Sequence, residues 1–290
     1  MADDSLKTLL LPLALIIVLF GMGMSLTPAD FRRVLIAPLA SAVGLACQLL
    51  LLPLVALALI TALGIPGETA VGLMLLAACP GGPTSNLISH LSKGDTALSV
   101  TLTAVSSVVA VFTIPWIVGL SMGHFLGDTT EFQLPFLKTL TQLAIVTLLP
   151  ILLGMGLRKA LPAFAARMAR PANVISIVFL AVVIAMAVLR EDDLAAQFRI
   201  AGPAAVALNV LTMTLGFGLA ALFRLSRPQR ITVSIEAGIQ NGTLALAITL
   251  GLLNSPNIAM PAVVYSLFMF VSGAFMVIRF GCQETNTLAP

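Results

Sequence analysis

Apolar residues occur along this chain in long unbroken blocks, separated by short clusters of charge or by proline and glycine. Nine blocks reach the roughly 20 residues that a bilayer-spanning helix needs. They fall near 6–26, 37–63, 66–91, 95–122, 135–157, 171–190, 200–223, 228–252 and 257–281. Two further pieces, 28–37 with Arg32 and Arg33 and 161–170 with Arg167 and Arg170, read as short interfacial segments. The longest stretches without a strong apolar run, 123–134 and 190–199, have the length of loops. The pattern predicts an all-α integral membrane protein of one polytopic domain over 1–290, with nothing left for a soluble catalytic unit. The first block follows Asp3, Asp4 and a single lysine and precedes no small-x-small pattern, so a cleaved signal peptide is not expected.

Composition agrees: of 290 residues 59% are hydrophobic and 9% charged, against roughly 45–50% and about 25% in soluble domains. A formal charge of +3 would suggest nucleic acid in a soluble protein, but these bases sit in short loops, where they set orientation. With nine spans and the N-terminus outside, eleven bases face inward: Arg32, Arg33, Lys93, Arg158, Lys159, Arg167, Arg170, Arg224, Arg227, Arg230 and Arg279. Four remain outside: Lys7, Lys138, Arg190 and Arg199. A missed or invented helix would flip every later loop and spoil that segregation, so the N-terminus is expected outside and the C-terminus in the cytoplasm. Cys47, Cys79 and Cys282 show neither disulfide nor zinc-ligand spacing.

All the acids but one fall in loops or at helix ends. The exception is Glu236, inside an apolar run whose other polar members include Thr232, Ser234, Gln240, Asn241 and Thr243. Inserting an acid at mid-helix costs about 2.5–3.5 kcal/mol, which points to a cation ligand or a proton carrier. Two spans are also interrupted. The third carries Cys79-Pro80-Gly81-Gly82-Pro83 in its middle, which no continuous helix can cross, and the eighth has a softer point at Glu236-Ala237-Gly238-Ile239-Gln240-Asn241-Gly242. Unwound backbone at membrane depth is tolerated where it lines a cavity or lies buried in protein. Taking spans 1–4 (about 6–122) and 5–9 (about 135–281) as halves, each interrupted span is second to last, and the halves run in opposite directions. That pattern predicts inverted repeats and a secondary transporter with its site at the midplane. The fourth span adds Ser99 and Thr103, with Ser106 or Ser107, at helical spacing on one face. Hydroxyls, freed carbonyls and Glu236 together are what a hard cation such as sodium needs. Freed N–H groups near Thr84, Ser85 and Asn86 and near Asn241, Gly242 and Thr243 favour an organic anion.

At these segments the sequence resembles the bile acid:sodium symporter family. The matching residues are Cys79-Pro80-Gly81-Gly82, Ser85-Asn86, Lys93-Gly94-Asp95 with Leu98-Ser99, Glu236 with Gly238 and Gln240-Asn241, and Gln48 with Pro53. The resemblance runs from about Leu19 to Gly273 and implies a panel domain and a core domain, the latter with two crossing broken helices. It implies one sodium site from Ser85, Asn86, Ser99, Thr103 and Glu236. A second would use Gln48, Glu236, Gln240 and the carbonyls of Ala237 and Ile239. Thr84, Asn241, Gly242 and Thr243 would face the substrate. The chain looks like the nine-span form of the family, carries Pro83 at a position usually small or polar, and has Met269-Phe270 where some bacterial relatives are polar, so that Phe270 would give an apolar substrate wall. Expected partners are sodium ions, a small organic anion and the lipid bilayer, with no nucleic acid and no protein partner, in a bacterial inner membrane.

Three functions compete on these residues. A sodium-coupled symporter of an organic carboxylate stands first, and a proton-coupled carrier or antiporter titrating Glu236 second. A channel or receptor lacks any selectivity-type repeat. An enzyme is not expected: His90, His124, Trp116 and Tyr265 have no paired acid or nucleophile motif and read as structural.

Overall fold

The computed structural model describes residues 16–24, 27–127, 136–190 and 194–281. Expectations resting on Asp3, Asp4, Lys7, Asp128, Glu131, Glu191, Asp192, Asp193, Cys282 and Glu284 lie outside these residues. Every named element is a helix. Helix α1 (16–24) leads to the short α2 (Pro28–Arg32), which Thr27 and Asp30 close with a capping box. Next come α3 (Pro38–Ala46) and α4 (Leu52–Leu63), joined by a π-helical turn, Cys47–Leu51. Pro53 has no N–H to offer the carbonyl of Leu49, and the backbone widens there so that Leu52 N–H bonds to Cys47, five residues back. The widened turn leaves Gln48 buried at 1% exposure.

The centre of the molecule holds α5 (Gly67–Ala78), α6 (Pro83–Leu91), α11 (Arg227–Gly238) and α12 (Gly242–Gly251). Around them stand α7 (Thr96–Leu126), α10 (Leu194–Leu222) and α13 (Pro256–Met276), while α8 (Phe136–Ala160) and α9 (Pro162–Arg190) complete the chain. Residues 69–78 of α5, 231–238 of α11 and 242–249 of α12 are buried without exception. A helix enclosed on all sides has no polar face to show, which is why 69–78 and 242–249 read as nearly solid apolar blocks, while α11 buries Thr232, Ser234 and Glu236 among its apolar residues. The outer helices instead bury one side and expose large apolar residues on the other, among them Leu54, Phe112, Trp116, Val210, Val271 and Phe275. Among the described residues four helical stretches are long and apolar enough to cross a membrane: Pro38–Leu63, Thr96–Leu126, Phe198–Leu222 and Pro256–Gly281.

One expectation needs correction. Segment 161–170 is no separate interfacial piece but the first turns of α9, which continues through Pro171 to Arg190. Ala165 is fully buried in a small cluster with Met24 and Ala172, and a Cβ placed on Gly21 would meet the Ala172 Cβ at 2.5 Å. Packing against α1 holds the helix together across the proline, as neighbouring helices do in lipid.

Polar contacts mark two ends of the bundle. At one, Glu68 at the start of α5 accepts from Asn257 Nδ2 (2.6 Å) and Ser255 Oγ (3.4 Å) at the start of α13. At the other, the α6–α7 turn meets the start of α11: Asp95 N–H donates to the Pro228 carbonyl at 3.2 Å, and Ser89 and Thr232 hydroxyls pair at 2.8 Å. Arg33 reaches Asp95 at this same end, at 3.9 Å.

Candidate functional site

The breaks expected in the third and eighth spans are both present, and they cross. Helix α5 stops at Ala78 and α6 starts at Pro83, while α11 stops at Gly238 and α12 starts at Gly242. In the gap the two extended segments pair as an antiparallel bridge between Gly81 and Gln240, and Asn241 N–H donates to the Pro80 carbonyl at 2.9 Å. Backbone groups that helix interruption would strand in the core are thereby satisfied by each other. The bridge is antiparallel, so the two broken helices run past one another in opposite senses.

Glu236, wholly buried, lies one turn before the second break. Its Oε1 accepts from Ser99 Oγ at 2.5 Å and its Oε2 from Thr103 Oγ1 at 3.0 Å. The same two hydroxyls approach Asn86 Oδ1 at 2.8 and 3.4 Å. Ser85 sits beside the carboxylate while donating to the Gly82 carbonyl at 2.8 Å. Ser99 and Thr103 have one hydroxyl proton each, yet three acceptor atoms, both Glu236 oxygens and Asn86 Oδ1, converge on them. A cluster of oxygens short of protons, the Glu236 pair wholly buried and Asn86 half-buried, is an environment that a cation completes. All five residues expected in the first sodium set are thus brought together.

The second set also meets at the crossing. A Cβ built on Gly81 would lie 2.5 Å from Glu236 Oε2, 3.1 Å from Ser85 Oγ and 3.3 Å from Gln48 Nε2, so glycine at 81 leaves the space these groups converge on. Gln48, carried in by the π-helical turn of α3–α4, has neither amide atom hydrogen-bonded. Gln240 donates to the carbonyls of Glu236 (3.2 Å) and Ala237 (3.1 Å), leaving its own Oε1 buried and unpartnered. Orphaned amide oxygens of this kind are expensive unless something binds them, and they fit a hard cation. Ile239 lies in the extended gap, with φ −107° and ψ 98°.

The hydroxyl stripe on α7 divides. Ser99 and Thr103 face the crossing, whereas Ser106 and Ser107 both donate back to the Thr103 carbonyl and Thr101 to that of Ala97. The two half-helix N-termini converge, with a Cβ on Gly82 falling 3.6 Å from the Asn241 side chain. Asn241 caps α12 through its Oδ1 (3.0 Å from Leu244 N), and Gly242 and Thr243 are buried beside it, while Thr84 is half-buried. Met22 of α1 closes over this side, its sulfur 3.9 Å from Ser107 Oγ and 4.0 Å from Asn241 Nδ2. The apolar seam there, between Leu19, Met22, Pro80, Ile114 and Leu244, leaves a cavity of about 10 Å³, room for about one water. Phe270 is 38% exposed on α13, off the buried face formed by Ser266, Met269 and Gly273.

Two residues escaped the sequence reading. Asn209 of α10 and Tyr265 of α13 are fully buried, and both donate to the Gly238 carbonyl at the end of α11, at 2.7 and 2.8 Å. In the sequence Tyr265 reads as structural, and Asn209 is a single amide in an apolar run. Its signal was the same as that of Glu236, a polar side chain deep in a span.

The sequence model of a family described as the sodium bile acid symporter family matches residues 12–197, which include the first break. A sodium-dependent transporter of Bacillus subtilis (strain 168), itself uncharacterized, is 29% identical over 261 residues, 90% of this chain and 79% of its own length. The hepatic sodium/bile acid cotransporter of Rattus norvegicus is 27% identical over 292 residues, 98% of this chain and 79% of its own. A probable sodium/metabolite cotransporter of rice chloroplasts is 27% identical over 276 residues, 94% of this chain but only 64% of its own length.

Proposed function

Since the chain belongs to the sodium bile acid symporter family, a family of sodium-dependent transporters, we propose that it is a symporter that couples two sodium ions to the uptake of one organic carboxylate by alternating access. The observation that carries this reading is the surplus of acceptor oxygens, two of Glu236 and one of Asn86, that converge on the Ser99 and Thr103 hydroxyls where the broken helices cross. The first ion would lie among Ser85, Asn86, Ser99, Thr103 and Glu236. The second would take Gln48, Gln240, Glu236 and the carbonyls of Ala237 and Ile239, with the Gln240 amide turning from donor toward the backbone to oxygen ligand. The carboxylate substrate would sit against the two half-helix N-termini, with Thr84, Asn241, Gly242 and Thr243 around it, while Phe270, off the buried face of α13, is left out of the wall. Such N-termini offer unpaired N–H groups and a positive dipole end.

The halves 6–122 and 135–281 form inverted repeats in this reading. The antiparallel crossing supports this, as does the long helix, α7 or α13, that follows each break. The charge segregation, with Arg33 at the α11 end, supports a cytoplasmic C-terminus, and the resemblance to the Bacillus subtilis relative supports a bacterial inner membrane. Purified protein in proteoliposomes decides among the couplings. With a panel of labelled carboxylates and imposed gradients, uptake should follow an inward sodium gradient and ignore a proton gradient. Uptake driven by protons alone would transfer Glu236 to a proton-carrying role.

A further inference from the structure

We infer that Asn209 and Tyr265 are positioning residues for the second sodium site, acting through the Gly238 carbonyl. The inference rests on the symport reading above and assigns a task to two helices, α10 and α13, that supply no ligand to either ion. The Gly238 carbonyl ends α11 and has lost its helical partner to the break. It accepts from Asn209 Nδ2 at 2.7 Å and from Tyr265 Oη at 2.8 Å, and these two donors lie 3.4 Å from each other. The amide orientation follows from chemistry, because a carbonyl only accepts and the Asn209 nitrogen must face it.

Pinning one carbonyl orients the next. Ile239 is extended, and successive carbonyls of an extended segment point to opposite sides. With the Gly238 carbonyl held toward α10 and α13, that of Ile239 is turned toward the opposing break at Gly81, where the second ion would bind. Gly238 itself packs closely on α10, since a Cβ there would run into the Met213 side chain.

Asn209 also carries a cost. Its Oδ1 is buried without a partner, and a buried unsatisfied polar atom is destabilising where a leucine of similar shape would not be. Stability alone therefore does not account for an amide at this position, whereas the need for a fixed donor does.

The test separates stability from sodium binding. The melting temperature of the purified protein is followed against sodium concentration, with choline as the counter-cation, for the wild type, Tyr265→Phe and Asn209→Leu. Asn209→Leu is expected to melt no lower than wild type without sodium, while its half-saturating sodium concentration rises about three- to tenfold, the effect of loosening one ligand. Tyr265→Phe, which removes only the hydroxyl, should show the same displacement and a less sigmoidal titration. Sodium midpoints unchanged in both variants, with the wild type responding normally, would overturn the clamp and leave the symport reading intact. A wild type that shows no sodium-dependent stabilisation overturns both. If Asn209→Leu does not fold, Tyr265→Phe alone decides.

Discussion

At the scale of single residues, Glu236 matters most, because it is the charge common to both proposed ion sets. Glu236→Gln keeps the shape and keeps an acceptor for Ser99 or Thr103, so the protein should fold while sodium-driven uptake disappears. Sodium titration of its melting temperature checks this, and an undiminished shift would reject the assignment. Ser99→Ala or Thr103→Ala removes one neutral ligand, worth about 1–2 kcal/mol, and should raise the sodium requirement several-fold. Wild-type sodium dependence in either variant would mean that α7 does not serve the site. Much of this was legible in the sequence, for a carboxylate deep in an apolar run and hydroxyls four residues apart on one face leave few readings. Which hydroxyls turn inward was not legible. Ser106 and Ser107 share the apolar setting of Ser99, but only the fold shows that they are spent on the Thr103 carbonyl. Asn209 and Tyr265 stayed hidden for a related reason: their partner is a backbone carbonyl nearly thirty residues away, freed by a break whose end is set by tertiary packing.

At the scale of elements, prolines had opposite meanings in different places, and context decided. Pro80 and Pro83 with two glycines between them end one helix and begin another, whereas Pro115, Pro150, Pro171, Pro203 and Pro261 lie inside continuous helices. A lone proline forfeits one hydrogen bond, which neighbours or local bending can absorb, so α9 begins at Pro162 and not, as its proline suggests, at Pro171. The Glu236–Asn241 break, lacking proline, shows in the sequence through its glycine and polar residues. Close contacts between elements are testable separately from the site. A Cβ on Gly72 of α5 would strike the Ile258 carbonyl of α13 and lie 3.0 Å from Pro261 Cγ. Gly72→Ala should therefore lower stability by about 1–3 kcal/mol, seen as a lower melting temperature with and without sodium. Gly123→Ala on α7, where nothing lies within 4 Å of the new Cβ, is the control and should not destabilise.

At the scale of the whole molecule, the proposed stoichiometry fixes an electrical signature. Two sodium ions moving with a monoanion carry one positive charge inward, and 100 mV is worth about 2.3 kcal/mol per charge, roughly a fiftyfold bias in accumulation. With sodium equal on both sides of proteoliposomes, an inside-negative potential should drive concentrative uptake. Indifference to voltage would reject the second ion and return Gln48 and Gln240 to structural roles. The pairing of Gly81 with Gln240 bears on a different property, the tolerance of the chain to changes in length. Loops at the rim of the bundle can gain or lose residues with little consequence. The two breaks cannot, because a side chain in an extended segment changes face with every residue. One residue inserted between Cys79 and Pro83, or between Gly238 and Gly242, would slide the pairing and exchange inward for outward groups on the segment that receives it. A scan of single-residue insertions should therefore show two short intolerant windows, far apart in sequence, equally severe, and not rescued by a compensating deletion elsewhere in the same helix.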